Sequence, residues 1–503
     1  MKHFLFMSLL CTFLQLSSSF NYLPAQSQIN AAIPGDFADP SIIRRGNQYY
    51  AIGTSSEWAP HFPVYTSGNL KDWKQTGFIF DKAPEWTAGS FWAPEYFFHN
   101  NTYFVYYTAR RKKDSASFIG VATSRFPDRD FKDHGIVIEH GKEAIDAFVY
   151  NDNGQLYITF KAYGLDNRPI EIIGSKLSPD GLKLQGELFT IFKDDKGIGL
   201  EGQSLLKKDD YYYLFYSAGS CCGVKCSYNV SIARSRKLEG PYENYHDNPA
   251  LQENTDWKCS GHGTFTVNNQ GKYFYLYHAY NKVSTVFGGR QALLAELLWP
   301  ERNSWPVFKM APSSKADQDL RDPFNTTSIA KHWQWDFRNS LPIVRQQNGN
   351  LYLSGTINAS TKTGVVLTVR PRHIGFEATT VVVNHNSALK GLAYYGDANA
   401  ALGIGVTNDK VVVWRVKDTL RTELAHTATT STAPVEMRIA FMPDKTCRFF
   451  YKQGQSAWKR LVTDHEVSAE FLPQWDRSAR IGLHYKGEIP QEAVFSSFEL
   501  TYF

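Results

Sequence analysis

The sequence predicts an all-β protein, a five-bladed β-propeller followed by a β-sandwich. Three observations carry that expectation. Five aromatic strands resemble one another: "YYAIGTS" from Tyr49, "YFVYYTA" from Tyr103, "LYITFKA" from Leu156, "YYLFYSA" from Tyr212 and "YFYLYHA" from Tyr273. Their starts lie 54, 53, 56 and 61 residues apart, and helical periodicity is nearly absent throughout. The last third is a series of short strands with period two.

Each aromatic strand is followed, in most copies, by a loop and a second strand rich in small residues: "IGVATS", "IIGSKLS", "VSIARS", "ALLAEL". "SGNLKDW" and "SRKLEGPY" close some of the units. A unit of this length holds about four short strands, which is too little for a separate sandwich but right for a propeller blade. A blade leaves faces that only another blade can cover, so the copies are expected to close into a ring.

Length and charge bound the rest. The chain has 503 residues, 15% aromatic, with 54 basic against 49 acidic residues and a net charge of +5. That balance is too weak to suggest nucleic acid, and there is no Gly-rich phosphate loop. "MKHFLFMSLLCTFLQLSSSF" reads as a secretory signal within residues 1–25, cleaved after Ser19 or Ala25. Its apolar part is short for a membrane span, and no later segment is long enough. The mature protein is therefore expected to be exported and soluble, a monomer or weak oligomer. The propeller is assigned to residues 30–307, a polar linker to 308–321 and the sandwich to 322–503. Cys221, Cys222, Cys226 and Cys259 form one group whose spacing does not match a zinc site. One local disulfide is expected among them, with Cys226 and Cys259 as candidates.

In a propeller the innermost strand of each blade runs beside the axis and precedes the aromatic strand. Residues about ten positions before each aromatic strand should therefore gather there: Asp39 in "FADPSII", Ala93 in "FWAPEYF", Asp146 in "EAIDAFV", Glu201 in "GLEGQSL" and His262 in "SGHGTFT". Alternation along the strand places Glu95 on the same face as Ala93. Carboxylates crowded in one funnel repel, so at least one must bind its proton tightly. A protonated acid opposite an ionised carboxylate is the pairing that glycosidic cleavage requires. A calcium site is the alternative use of the same oxygens, but the surrounding aromatics favour a sugar, whose apolar faces stack on flat rings.

With "ADPS", "FWAPE", "IDAFVY", "GLEGQS" and "GHGTF" in this order, residues 33–307 resemble glycoside hydrolase family 43. The resemblance implies an inverting glycosidase with no cofactor required for its chemistry, acting on oligo- or polysaccharides. By match, Asp39 would be the general base and Glu201 the general acid. Asp146 would orient that acid and raise its pKa. Arg290 would pair with a carboxylate and a sugar hydroxyl. His262 resembles the family's axial histidine, near which a structural calcium is a candidate. "IDAF" and "LEGQ" stand where the family usually has "IDP" and "EGP", which leaves the sugar open: α-L-arabinofuranose first, β-D-xylose or β-D-galactofuranose as alternatives. A sugar-binding propeller without catalysis is the reading from another class, and it would need one of the three carboxylates to be missing. Loops after the aromatic strands, among them "SEWAPHF", "SAGSCCGVKCSY" and "NKVSTVFGGRQ", should rim the same mouth. Trp58, His61 and Trp92 are thereby candidates for sugar contact.

Beyond the linker, "NLYLSG", "GVVLTV", "KVVVWRVK", "EMRIAFM", "ARIGLHY" and "SSFELTYF" alternate as sandwich strands. The module resembles the concanavalin-A-like domain that accompanies many enzymes of this family. That implies either a wall of the active-site pocket or a packing partner for the propeller.

Overall fold

The computed structural model describes residues 30–311, 319–429, 432–488 and 490–503. The expected signal segment and the middle of the expected linker lie outside those residues. Among the described residues the chain is all-β apart from one helical turn at Thr285–Gly288. Between Ser41 and Met310 it forms five four-stranded antiparallel sheets, each built from strands that follow one another in the chain, save that the short strand Trp58–Ala59 leaves the first sheet. Their first strands are Ser41–Arg45, Thr87–His99, Ala144–Asp152, Leu200–Lys208 and Trp257–Val267. Each touches the first strands of the two sheets beside it, and the fifth touches the first, a propeller-type arrangement.

The aromatic repeats form the second strands of these sheets. Their residues are buried on both faces, as in Thr102–Arg111 and Tyr211–Ala218. Large flat rings fill the space between adjacent sheets: Tyr107 lies 5.7 Å from Phe62, and Phe215 lies 4.8 Å from Phe265. The chain's start is fastened to the last sheet. The Ala32 amide donates to the Ala292 carbonyl at 2.8 Å, and the Phe37 amide donates to the Arg290 carbonyl at 2.8 Å.

Residues from Leu320 to Tyr502 form the sandwich, one sheet of nine strands facing one of six. Its strands alternate as expected. In Phe376–Val382 every second residue is buried, while the edge strand Leu420–Ala428 is largely solvated. Leu367, Leu392, Ile404, Ile439 and Leu483 meet in the shared core.

A two-stranded sheet ties the two parts together, with Trp58–Ala59 from the loop of sheet one paired to Trp335–Asp336. Trp58 is 1% exposed, stands edge-on to Tyr395 at 5.9 Å, and has the Arg480 guanidinium 4.2 Å above its ring. His61 is equally enclosed, stacked on Phe91 at 3.8 Å and edge-on to Phe337 at 4.8 Å. The expectation that Trp58 and His61 contact sugar is thus corrected. Both pack the junction, because the sandwich covers the loop that would otherwise rim the mouth.

Trp58→Ala should remove this joint at a cost of about 3–5 kcal/mol. Scanning calorimetry should then resolve the unfolding of the two parts into separate transitions.

Candidate active site

One local device recurs at the head of every sheet. Asp39, Ala93, Asp146, Gly202 and His262 have φ of 50°, 43°, 59°, 57° and 42°, the left-handed region that L-residues seldom occupy. In sheets two to five the ladder breaks at this point into a β-bulge, between Trp92 and Glu95, Ile145 and Phe148, Glu201 and Ser204, and Gly261 and Thr264. At each of these residues an amide points out of its own sheet, and a side chain of the preceding sheet accepts it. Thr54 Oγ1 accepts from Ala93 N at 2.8 Å, Thr108 Oγ1 from Asp146 N at 3.2 Å and Ser217 Oγ from His262 N at 2.7 Å. His278 Nδ1 accepts from Asp39 N at 3.0 Å, linking the fifth sheet to the first. The Gly202 amide goes instead to Asp146 Oδ2 at 2.9 Å. At Gly202 a Cβ would stand 2.7 Å from His262 Cγ, so only glycine fits.

The bulges revise one detail of the expected register. The counterpart of Asp39 and Asp146 in sheet four is Gly202, and Glu201 lies one residue earlier. Glu201 is opposite Ser217 as Trp92 is opposite Thr108, so these two share a position. The bulge also breaks the alternation that placed Glu95 beside Ala93. Glu95 lies farther along the axis, accepting from Ser41 Oγ at 2.7 Å and lining a separate cavity of about 580 Å³. Burial pushes its pKa up to about 8. It is not part of the carboxylate group.

What the structure does bring together is Asp39, Asp146, Glu201, His262 and Arg290. Asp39 Oδ2 accepts from Thr54 Oγ1 at 2.6 Å, and its Oδ1 accepts from Arg290 Nη1 at 3.1 Å. His262 Nδ1 stands 3.5 Å from Asp39 Oδ1 and 3.8 Å from Asp146 Oδ2. Burial alone would raise the Asp39 pKa. Arg290 outweighs it and holds the carboxyl well below its ordinary range. Burial lowers the His278 pKa to about 4, so the ring is neutral and its Nδ1 is committed to the Asp39 amide. Arg290 therefore carries most of the stabilisation of the carboxylate.

Asp146 and Glu201 go opposite ways. Burial, opposed by His262 and reinforced by Glu201, pushes Asp146 up to about 6. Burial also acts to raise Glu201, but Lys161 overcomes it and holds the group below its ordinary value. Lys161 Nζ donates to Glu201 Oε2 at 2.8 Å and lies 3.8 Å from Glu143 Oε1. Tyr228 Oη donates to Glu201 Oε1 at 3.0 Å. The expectation that Glu201 itself titrates high is thus reversed in the free protein, because a buried cation stands against it.

The sandwich closes one side of the mouth. Arg290 Nη2 donates to the Asp476 carbonyl at 3.0 Å, and Trp92 Nε1 donates to Asp476 Oδ2 at 3.1 Å. Trp475 stands edge-on to Trp92 at 5.8 Å and is 58% exposed. The Ser478 amide donates to Asp36 Oδ2 at 3.0 Å. Two disulfides lie nearby. Cys226–Cys259 is the expected bridge, and Cys221–Cys222 is a second one, between sequence neighbours.

Sequence reading did not find Lys161, Tyr228, His278, Thr54, Trp475 or Asp476. For the polar strand residues a signal was present. Thr54, Thr108, Lys161, Ser217 and His278 are the sixth residues of the five aromatic repeats.

Residues 29–306 match the family model described as glycosyl hydrolases family 43, and residues 321–483 match that of a beta xylosidase C-terminal concanavalin A-like domain. An extracellular endo-alpha-(1->5)-L-arabinanase of Bacillus subtilis is 27% identical over 57% of this chain and 91% of its own. An extracellular exo-alpha-(1->5)-L-arabinofuranosidase of Cellvibrio japonicus is 26% identical over 54% of this chain and 86% of its own. Among solved structures, the xyloglucan-locus GH43B of Bacteroides ovatus superposes with a TM-score of 0.80 at 21% identity, covering 94% of this chain and 99% of that one. At that identity the likeness concerns the fold.

Lys161→Met should raise the pKa of both Asp146 and Glu201, since the cation stabilises both charged forms. Infrared difference spectra should show the carboxyl step that lies near pH 6 in the wild type moving to higher pH, while the separate step of Glu95 near pH 8 stays in place.

Proposed function

Since the chain belongs to glycosyl hydrolase family 43, and so is a glycoside hydrolase of an inverting family, we propose that it is a secreted exo-enzyme removing terminal α-L-arabinofuranosyl residues from polysaccharide side chains. The observation that carries the mechanism is the contrast among three carboxylates, two of them buried: Asp39 held ionised by Arg290, facing an Asp146–Glu201 pair that retains a proton. Asp39 is the base that activates water. The pair titrates as a unit and supplies the acid. Glu201 has the more exposed side chain, 21% against 8% for Asp146, and is the member that reaches the leaving oxygen. Asp146 stores the proton behind it. Arg290 orients Asp39, and Trp92 offers a ring to the sugar.

Exo action is supported by the sandwich loop at Trp475 and Asp476, which walls one side of the mouth. The arabinose preference rests on what the Bacillus and Cellvibrio relatives are named for. β-Xylosidase activity is the second reading, favoured by the match of the sandwich to a beta xylosidase domain. We read the five sheets as five blades of one closed ring, supported by the cyclic contacts and the His278–Asp39 bond. Export is supported by the signal-like start, the two disulfides and the extracellular relatives.

A structural calcium beside His262, held through water, is a second part of the proposal. No three His, Cys, Asp or Glu side chains among the described residues gather to hold a metal. An ion there would rest on one imidazole and water, and no catalytic step passes through it. If such an ion is present, dialysis against a chelator should lower both activity and melting temperature; no change in either would dismiss it.

Nitrophenyl α-L-arabinofuranoside should be the best of a panel of aryl glycosides, with the product released as the inverted anomer by proton NMR. No turnover of any furanoside or xyloside would overturn the proposal. Asp39→Ala should abolish turnover on every substrate. Glu201→Ala should spare substrates with acidic leaving groups, which depart without a proton. In the wild type kcat/KM should fall as pH rises through about 6, where the pair loses its proton. The acid limb should lie well below the ordinary carboxylate range, where Asp39 gains one. Asp146→Asn removes a negative neighbour from Glu201, so the upper limb should move to lower pH.

A further inference from the structure

The Cys221–Cys222 disulfide plays no part in the mechanism above, yet the chain positions it with care. Residues 219–227 leave the second strand of sheet four after Ala218, the residue next to Ser217, which is the partner of Glu201 in the ladder. The Gly219 amide donates to the Ile198 carbonyl at 2.9 Å, three residues ahead of Glu201. The neck of the loop closes on itself, the Ser227 amide donating to the Ser220 carbonyl at 2.9 Å and the Ser220 amide to Ser227 Oγ at 3.1 Å. The returning chain enters Tyr228, whose hydroxyl holds Glu201. Two further ties fix the tip. Cys226–Cys259 binds it to the strand that carries His262. The Gly223 amide donates to Tyr280 Oη at 3.3 Å. Beside Gly223 lies the Trp475 carbonyl, 3.8 Å from where a Cβ would stand.

The adjacent cysteines thus sit on the rim between Glu201 and Trp475, both partly exposed, in a loop held at its neck and its tip. Two neighbouring cysteines joined through sulfur close a small ring that includes the peptide bond between them. The ring presents a compact, polarizable apolar surface with little freedom to lose on binding. The side of the pocket matters. Glu201 gives its proton to the glycosidic oxygen, so groups flanking Glu201 at the rim face the sugar beyond that oxygen.

We propose that the Cys221–Cys222 disulfide is a binding platform for the apolar face of the leaving-group sugar, with Trp475 as the neighbouring wall. This rests on the glycosidase reading of the carboxylate site and adds a subsite to it. The platform distinguishes a sugar leaving group from one too small to touch it.

The test compares two substrates of the same glycosyl unit, an oligosaccharide and the glycosyl fluoride, whose leaving group is a single atom. In C221A/C222A, kcat/KM on the oligosaccharide should fall about tenfold, mainly through KM, a loss equivalent to one good contact. On the fluoride it should stay within about twofold of the wild type, because a platform beyond the glycosidic oxygen never meets that substrate. Equal losses on both substrates, or no loss on either, would overturn the platform. A wild type inactive on both would overturn the glycosidase reading and the platform with it. Should the double variant not fold, Cys222→Ala opens the ring while leaving Cys221 in its packing, and the same ratio is read.

Discussion

The molecule depends on one backbone conformation, the left-handed residue at the head of each innermost strand. A bulge there lifts an amide out of its own ladder, where it would be an unsatisfied donor in a buried place. All five sheets hand that amide to a side chain of the sheet before, and in four of them the acceptor is the sixth repeat residue. A requirement to satisfy a polar group thereby becomes a rule for spacing sheets around an axis. The same conformation turns Asp39 and Asp146 inward, so packing and chemistry come from one device. A residue other than Asp, Asn or Gly pays strain at such φ values, and Ala93 and His262 persist there because the neighbouring sheets accept their amides.

The third sheet breaks the rule, and the break makes the site asymmetric. Its sixth repeat residue is Lys161, which can donate but cannot accept an amide. Asp146 takes over the acceptor role toward Gly202, and Lys161 turns to Glu201. Two neighbouring sheets thus bring two unlike carboxylates side by side, one deep and retentive of its proton, one nearer the surface and matched to a cation. Opposite them Arg290 does for Asp39 what Lys161 does for Glu201, with the added reach of a second nitrogen to the sandwich.

Much of this was legible in the residues. Five repeats of one aromatic pattern announced five sheets, and the carboxylates fell ten or eleven residues ahead of them. The bulge was not legible, since a two-for-one register change leaves no mark on composition. It moved Glu95 out of the group and set Glu201 one place before its expected position. Trp58 and His61 were misjudged for another reason. Their loop borders the mouth in the chain's topology, but the sandwich, hundreds of residues later, buries it. Trp475 and Asp476 were invisible for the same cause, as contacts between distant segments follow no local pattern. The sixth residues of the repeats could have been read, being polar positions in otherwise aromatic strands.

The fastening of residues 32–37 to the last sheet sets an order in time. Asp39 receives its amide partner from His278, 239 residues downstream, and Arg290 comes later still. During synthesis the early sheets can stack as they emerge, but the pairing that ionises Asp39 waits for the final one. The nascent chain therefore passes most of its length without a working centre. The carboxylate pairing of the centre is completed with the fifth sheet, so a product that ends before Arg290 lacks the cation that ionises Asp39.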